Sequence, residues 1–336
     1  MFATHEARQR RGLQRPKVDN YSNEKVQDTL VNLQAKNIFN GVQNPSARVI
    51  FGDRNAALSH FAAVYELVRL KGGVDTFQRI DRRAVIWCEF HVCAAYQLPP
   101  TLAPTLPALS NHAANALASA ARARGPRHRT PASALDRVLS AFHLVSAATS
   151  AAWTPVLMAD PACKDAVAAV LDDAAHALLV ELARPGARGW IDAVLLHAAH
   201  VYLWTALSNL PAGAQLNVML LERLRGALEI GEGGGGHNGK DVCAALARCG
   251  GGGIEAGGAR ALLWALVVGW FLAEKIWRRE ESGRGGVRRA GAGAKLRGWF
   301  EDGIFELLRG SGGGRTKEEA AQMIAANQSL QRTCLA

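Results

Sequence analysis

The sequence predicts an almost wholly helical protein, and three observations point to this all-α fold class. Apolar residues recur at helical spacing along most of the 336 residues, short Gly or Pro runs separate these segments, and no segment alternates as a half-buried strand does. With 49% apolar residues, the chain can bury a large core. Single cores usually stop growing at about 250–300 residues. We therefore expect a large multi-helix domain or two packed helical lobes joined by Gly-rich loops.

The first two helices are predicted from their apolar stripes and their end signals. Between Asp53 and Lys71 apolar residues recur at i, i+3 and i+4, Asp53 can cap the start, and Gly72-Gly73 supplies a left-handed stop. A second helix is predicted from Asp81 to Gln97, before Pro99-Pro100, because proline disfavours helical geometry in the preceding residue. Further helices are predicted at 105–123, 132–151, 161–184, 188–209, 213–229, 259–279, 295–309 and 316–330, with a short one at 240–249.

Composition divides the chain into four parts. Residues 1–20 are basic and predicted to be disordered, and 21–230 form the first part of the helical domain. Residues 231–258 contain twelve glycines in 28 residues, which predicts a flexible loop. Residues 259–330 form the C-terminal helical part, interrupted by a second Gly/Arg-rich linker at 280–294.

The net charge of +10 is concentrated in three arginine-rich groups, near residues 8–17, 122–129 and 278–289. All three lie in Gly-, Pro- or polar-rich segments, and none is interleaved with aromatic residues as in single-strand nucleic-acid platforms. We interpret them as solvated loops rather than as a nucleic-acid patch, and a nuclear-localisation signal is the less favoured alternative for the N-terminal group.

We expect an intracellular protein without a membrane span, signal peptide or disulfide framework. The longest apolar run, Ala261 to Ala273, is 13 residues, whereas a bilayer takes about 20, so it predicts a buried core helix. The N-terminus has charged residues where a signal peptide is apolar. The six cysteines are widely spread and are interpreted as small buried hydrophobes: Cys88, Cys93, Cys163, Cys243, Cys249 and Cys334.

Two phosphate-binding patterns occur in the glycine tract, and both fail on context. Gly231, Gly233 and Gly236 have dinucleotide-loop spacing, but that motif needs a strand before it and a helix after it. Lys240 stands at phosphate-loop spacing, yet Asp241 follows where a Ser or Thr hydroxyl should hold magnesium. We expect no nucleotide cofactor.

Two metal-binding patterns are also weak. Asp172, Asp173 and His176 lie on one helix and could hold magnesium only with carboxylates from a facing helix, so we interpret them as a solvated helix face. His197 and His200 are one turn apart, but no third zinc ligand has matching spacing, which favours core histidines with satisfied hydrogen bonds. We therefore expect no metal and no enzyme, with an all-α metal-dependent enzyme at Asp172 kept as the less favoured alternative.

HFAAVYELVRLKGGVDTF (60–77) has a His in a helix, an apolar stripe and a Gly-Gly break, and AVIWCEFHVCAAYQLPP (84–100) has a Trp, an acidic residue two positions on and a proline stop. In these features the two segments resemble the fungal-specific transcription factor domain, the regulatory region of zinc binuclear-cluster transcription factors. The resemblance continues through DAVLLHAAHVYLWTALSNLP, LLWALVVGWFLAE and KLRGWFEDGIFELL, and covers about residues 25–330. Its framework positions here are His60, Gly72, Gly73, Trp87, Glu89, Pro99, Trp264, Gly269, Trp299 and Phe300.

The resemblance implies a helical regulatory domain that acts in transcription. The family's zinc cluster needs two C-x-x-C halves near the N-terminus, whereas no cysteine here precedes Cys88. A fragment, an incomplete gene model and natural loss would each explain this. We therefore expect no sequence-specific DNA binding by this chain alone.

The implied partners are proteins of the transcription machinery or a second copy of the chain, together with a small apolar effector. An all-α interaction scaffold unrelated to transcription is the main alternative. The family more usually has Asp where this chain has Glu89.

Overall fold

The computed structural model of the chain describes residues 54–104, 111–123, 133–150, 154, 160–186, 188–208, 210–211, 214–230, 256–282 and 291–308. Within these ranges the secondary structure is helical and no strand occurs. The α-helices are α1 (Arg54–Leu70), α2 (Arg79–Tyr96), α3 (Asn111–Ala123), α4 (Ala134–Ala148), α5 (Pro161–Ala183), α6 (Trp190–Tyr202), α7 (Gln215–Ile230), α8 (Ala256–Ser282) and α9 (Ala292–Leu308). A short 3₁₀ turn (Val74–Thr76) follows α1, and a π-helical turn (Leu203–Leu207) directly continues α6.

The all-α prediction is confirmed, and most predicted helices lie within a few residues of the observed ones. The predicted Gly-rich loop extended to residue 258, whereas α8 already begins at Ala256, so the last part of that loop is helical. Several predicted features lie outside the described residues: the segment 1–20, residues 231–255 of the Gly-rich loop, residues 283–290 of the second linker, and the helices at 240–249 and 316–330.

Local signals in the sequence account for several helix ends. Gly72 and Gly73 have φ of 87° and 116° and stop α1 in the left-handed manner that glycine permits. Helix α2 ends at Tyr96, and its C-cap Gln97 adopts left-handed geometry with φ of 54°. Ser133 and Asp136 form a reciprocal capping box at the start of α4. Asp160 caps α5 by accepting from the amide of Ala162.

One contiguous apolar core includes buried residues from all nine described α-helices. Helix α6 contacts α4, α5, α7 and α8, which places it at the centre of the packing. Helices α8 and α9 form a closely packed pair, and α1 packs on α2 through a small satellite cluster of Val64, Val68 and Val85. Because α6 and α8 contact each other, the parts of the chain before and after the Gly-rich segment share this core.

The two most apolar segments both lie within this packing. Five residues of the Ala261–Ala273 run are less than 2% exposed, which fits the predicted core helix: Leu262, Ala265, Leu266, Leu272 and Ala273. Among the described residues, Trp190–Leu207 is long and apolar enough to cross a bilayer by length and composition, and half of it is buried inside the protein. Cys88, Cys93 and Cys163 are buried, as predicted, whereas the other three cysteines lie outside the described residues.

Helices α8 and α9 approach closely at Gly269. A Cβ added there would lie 2.3 Å from Cε1 of Phe300, and the Phe300 side chain is fully buried. An ion pair joins the same two helices, because buried Glu274 contacts Arg278 at 2.7 Å and Arg297 of α9 at 2.9 Å. The framework pair Gly269 and Phe300 therefore forms a direct helix-helix contact.

We predict that Gly269→Ala destabilises the fold by about 1–3 kcal/mol, because the Phe300 ring cannot move without disturbing a filled core. The matched control is Gly298→Ala on α9, where an added Cβ meets no atom within 4 Å. This control should be neutral or stabilising by up to about 1 kcal/mol, since alanine is the better helix former. Urea denaturation of both variants provides the measurement, and equal stabilities would contradict the predicted close contact.

Candidate functional site

A cavity of about 520 Å³ opens between α2, α5 and the end of α6. Most of its wall is apolar, and Arg83, His91 and Ser208 add polar groups. Its apolar lining consists of Ala84, Trp87, Leu171, Leu207 and Leu210. We call it the Trp87 cavity. An apolar wall with a few convergent polar groups is typical of small-molecule sites, and the volume lies within their usual range.

A buried carboxylate from α5 fixes the α2 wall of the Trp87 cavity. Asp172 is 8% exposed and accepts hydrogen bonds from Arg83 Nε at 2.9 Å, Arg83 Nη2 at 3.0 Å and Trp87 Nε1 at 2.8 Å. The guanidinium also lies 5.8 Å from the Trp87 ring centre. Two donors from the guanidinium and one from the indole therefore orient both side chains.

The expectation that Asp172 belongs to a solvated helix face is wrong. The polar letters of LDDAAH gave that impression, but only Asp173 is exposed. His176 packs on the Phe90 ring, with 6.2 Å between ring centres. The three residues of the alternative magnesium site therefore face different surroundings, and Arg83 already neutralises the Asp172 carboxylate.

Aromatic rings support Trp87 from below. Its ring meets fully buried Trp204 in a perpendicular arrangement at 5.5 Å, and the His91 ring stacks on Trp204 at 4.5 Å. His91 Nδ1 lies 2.6 Å from the Trp87 carbonyl oxygen, so in the neutral ring Nδ1 holds the proton and donates. Burial lowers the pKa of His91 to about 4. The cavity wall is therefore a rigid, neutral aromatic surface beside one ion pair.

The π-helical turn shapes the other side of the Trp87 cavity. The Leu203 carbonyl accepts from the Ser208 amide at 2.8 Å, and Thr205 Oγ1 donates back to the Val201 carbonyl at 2.7 Å. Leu207 and Ser208 at the end of this turn line the cavity. Single π turns inside α-helices are frequent at functional sites, and this one was not predicted from the sequence.

On the opposite face of α2, Glu89 connects this helix to α1 and to the loop that follows α2. It is fully buried and accepts from the Thr101 amide at 2.6 Å, Thr101 Oγ1 at 2.9 Å, the Leu102 amide at 2.9 Å and the Tyr65 hydroxyl. Burial and the Glu89 carboxylate raise the pKa of Tyr65. The framework position Glu89 is therefore structural.

The other framework residues lie at separate helix contacts and do not converge on one site. Trp264 packs near Tyr202, with ring centres 6.0 Å apart, and Trp299 lies against Phe300 at 4.9 Å. His60 is half-buried on α1, and Pro99 is exposed. Within the described ranges, Trp87 is the framework residue whose side chain lines the Trp87 cavity.

The two histidines of α6 occupy different environments. His200 is 2% exposed, and neither ring nitrogen has a hydrogen-bond partner among the described residues. The prediction of core histidines is therefore right about burial for His200 but not for half-buried His197, and it is wrong about satisfied hydrogen bonds at His200. Burial, with smaller contributions from His197 and Arg223, lowers the pKa of His200. Burial, followed by Arg223 and Arg188, lowers the pKa of His197 to about 4.

A group with metal-ligand atoms lies elsewhere in the described part of the chain. His112 Nε2 is 3.2 Å from Asp160 Oδ2, and Cys163 Sγ donates to the same oxygen at 3.4 Å. The His112 side chain is 75% exposed, and Asp160 is also the cap of α5. Burial and the Asp160 hydrogen bond raise the pKa of the Cys163 thiol. Capping and these hydrogen bonds account for the arrangement.

Comparison of the chain with protein-family models, curated proteins and solved structures gives no match.

We predict that Glu89→Gln destabilises the fold by about 1–3 kcal/mol, because the amide cannot accept all the bonds that the carboxylate accepts from Thr101, Leu102 and Tyr65. Glu66→Gln, the same change on the exposed face of α1, should have little effect. Urea denaturation monitored by circular dichroism measures both. An equal loss in the two variants would show that the buried network does not stabilise the loop.

We predict that the free energy of unfolding falls as the pH drops below about 6.5. His91 and His197 have a pKa of about 4 in the folded chain, so the unfolded chain, with a histidine pKa of about 6.5, binds more protons between these values. The contribution of these histidines to the free energy of unfolding is therefore fully present above about pH 6.5. It is lost as the pH falls towards 4, by up to about 1.4 kcal/mol per pH unit for each histidine.

Urea denaturation between pH 7.5 and 5.5 tests this, since few carboxylates titrate there. Replacing buried His200 by Leu should reduce the slope by one histidine's share, because the leucine cannot bind a proton. A stability that is unchanged across this range would contradict the neutral state of His91, His197 and His200 in the folded chain.

Proposed function

We propose that this chain is the regulatory domain of a fungal transcription factor, acting in the nucleus through protein contacts and tuned by a small, mainly apolar effector. No zinc-cluster cysteine pattern occurs in these 336 residues, and the chain does not itself recognise a DNA sequence. Its partners are proteins of the transcription machinery or a second copy of the chain. The proposal describes a binding domain without catalysis.

The observation that supports the proposal best is the Trp87 cavity. Trp87 belongs to the segment that resembles the fungal-specific transcription factor domain, and its indole lines the cavity wall. The π-helical turn beside it belongs to a second segment of the same resemblance, Asp192 to Pro211. Two segments of the resemblance therefore border one cavity of about 520 Å³.

The metal-dependent alternative has less physical support. A divalent ion at Asp172 would have to displace Arg83 and Trp87 from the carboxylate, and Asp173 is exposed rather than turned towards it. The partly buried ion pair between Arg83 and Asp172 instead suits a structural wall for an uncharged or weakly polar ligand.

We predict that the chain changes the output of a reporter gene in a fungal cell when it is fused to an unrelated sequence-specific DNA-binding domain. Ala84→Phe, which fills the Trp87 cavity from α2, should shift this output by severalfold, because the effector is excluded. Ala62→Phe, at an exposed position of α1, is the matched control and should behave as the unchanged chain does.

Protein levels of the fusions are compared by immunoblot, so that degradation is not mistaken for lost regulation. An output equal to that of the DNA-binding domain alone would contradict the regulatory role. A fusion that regulates the reporter equally with and without Ala84→Phe would place the regulatory surface outside the cavity.

A further inference from the structure

A second cavity, of about 530 Å³, lies on the other half of α6. It is bounded by the end of α2, the residues just before α6, α6 itself and the C-terminal half of α7. We call it the Arg223 cavity. Its lining residues are Gln97, Arg188, Trp190, Ala193, His197, Arg223, Gly226, Ala227 and Ile230. None of them belongs to the Trp87 cavity or is acidic.

Two arginines, Arg188 and Arg223, line the Arg223 cavity, and neither has an acidic partner among the described residues. Arg223 donates to the carbonyl oxygens of Ala94, at 2.6 Å, and Ala95 at the end of α2. Arg188 donates to the carbonyl oxygens of Glu181 and Arg184, the latter at 3.0 Å, at the end of α5. These carbonyls orient the guanidinium groups but contribute only partial negative charge. The positive charge is therefore not neutralised locally.

Burial makes this excess of charge costly. It lowers the pKa of Arg223, which is the direction expected when a cation is taken out of water without a counterion. The same two arginines help to lower the pKa of His197, whose Nδ1 is buried and has no hydrogen-bond partner among the described residues. A negatively charged group in the cavity would relieve both costs at once.

The remaining lining specifies what the anion is attached to. Trp190, half-buried and fixed by its Nε1 donating to the Ala227 carbonyl at 2.9 Å, provides a flat apolar surface. Ala193, Ala227 and Ile230 extend it, and Ile230 is 65% exposed, so its side chain is accessible to a ligand. A bare inorganic anion would leave this surface in contact with water, whereas an apolar body would cover it.

We propose that the Arg223 cavity binds a small amphipathic organic anion, with the acidic group at Arg188 and Arg223 and an aromatic or aliphatic body on Trp190 and Ile230. The proposal is independent of the function proposed above, since it concerns different residues and a ligand of different chemistry.

The test compares three probes on the full chain by isothermal titration calorimetry at pH 7.5. Naphthalene-2-sulfonate supplies the apolar body and the anion, naphthalene-2-sulfonamide supplies the same body without the charge, and inorganic phosphate supplies the charge alone. The sulfonate should bind at least tenfold more tightly than the sulfonamide, and phosphate should bind at least tenfold more weakly than the sulfonate. Equal affinity for the sulfonate and the sulfonamide would overturn the proposal, as would phosphate binding as tightly as the sulfonate.

Variants locate the binding. Arg223→Met and Arg188→Met should each weaken the sulfonate by at least tenfold and leave the sulfonamide within twofold. Arg225→Met is the matched control, because Arg225 is on the same helix but pairs with Glu229 at 2.7 Å and lies over Trp299. It makes the same change in net charge and should leave binding unchanged. A loss in Arg225→Met equal to that in Arg223→Met would overturn the proposal, because it would indicate a general charge effect.

Since Arg223 also fixes the end of α2, its replacement can prevent folding, and a third variant avoids this. Gly226→Phe places bulk at the cavity wall without removing either arginine, and a Cβ there meets no atom within 4 Å. It should abolish sulfonate binding, whereas Gly298→Phe on α9, equally open, should not. Sulfonate binding that survives Gly226→Phe in a folded chain, shown by an unchanged circular dichroism spectrum, would overturn the proposal.

Discussion

Helix α6 is apolar around most of its circumference, and such a helix is stable in water only when neighbours cover every side. Four helices provide this cover: α4, α5 and α7, which precede the Gly-rich segment in the sequence, and α8, which follows it. Their arrangement follows from the need to cover α6. The neighbouring helices leave α6 uncovered at two places. The Arg223 cavity opens beside its first turns, and the Trp87 cavity opens where its regular hydrogen bonding ends. Both candidate sites are thus consequences of how the central helix is enclosed.

Buried carboxylates add the directional contacts that apolar packing lacks. Asp172 ties α5 to α2, Glu89 ties α2 to α1 and its following loop, and Glu274 ties α8 to α9. Each of the three residues is less than 9% exposed. Asp172 and Glu274 pair with arginines, and Glu89 accepts several hydrogen bonds. A buried charge of this kind stabilises little in itself, but any alternative packing that separates it from its partner is costly. The three contacts therefore favour one arrangement of helices over similar ones.

The helices could be predicted from the sequence because their signals are local. The apolar stripe of α1 and the glycines at 72 and 73 act over a few residues, and the observed ends follow them closely. The contacts of the candidate site could not be predicted in this way. In the sequence Asp172 stands beside Asp173 within a predicted helix, and this pattern predicts a solvent-exposed helix face. Its actual partner, Arg83, is 89 residues away in the chain. The arginines of the Arg223 cavity likewise meet helix ends that only the tertiary fold brings near.

The π-helical turn has a consequence for how insertions and deletions are tolerated. In an α-helix each residue advances by about 100°, so removing one residue rotates all later side chains off their packing face. A π turn holds one residue more than the α-helical turn it replaces, and the extra length at Leu203–Leu207 is taken up locally. A one-residue gap aligned to this turn would therefore leave the faces on both sides in phase. The same gap near His197 would turn Trp204 away from Trp87. Sequences that share this fold should vary in length at the turn and not within the preceding helix.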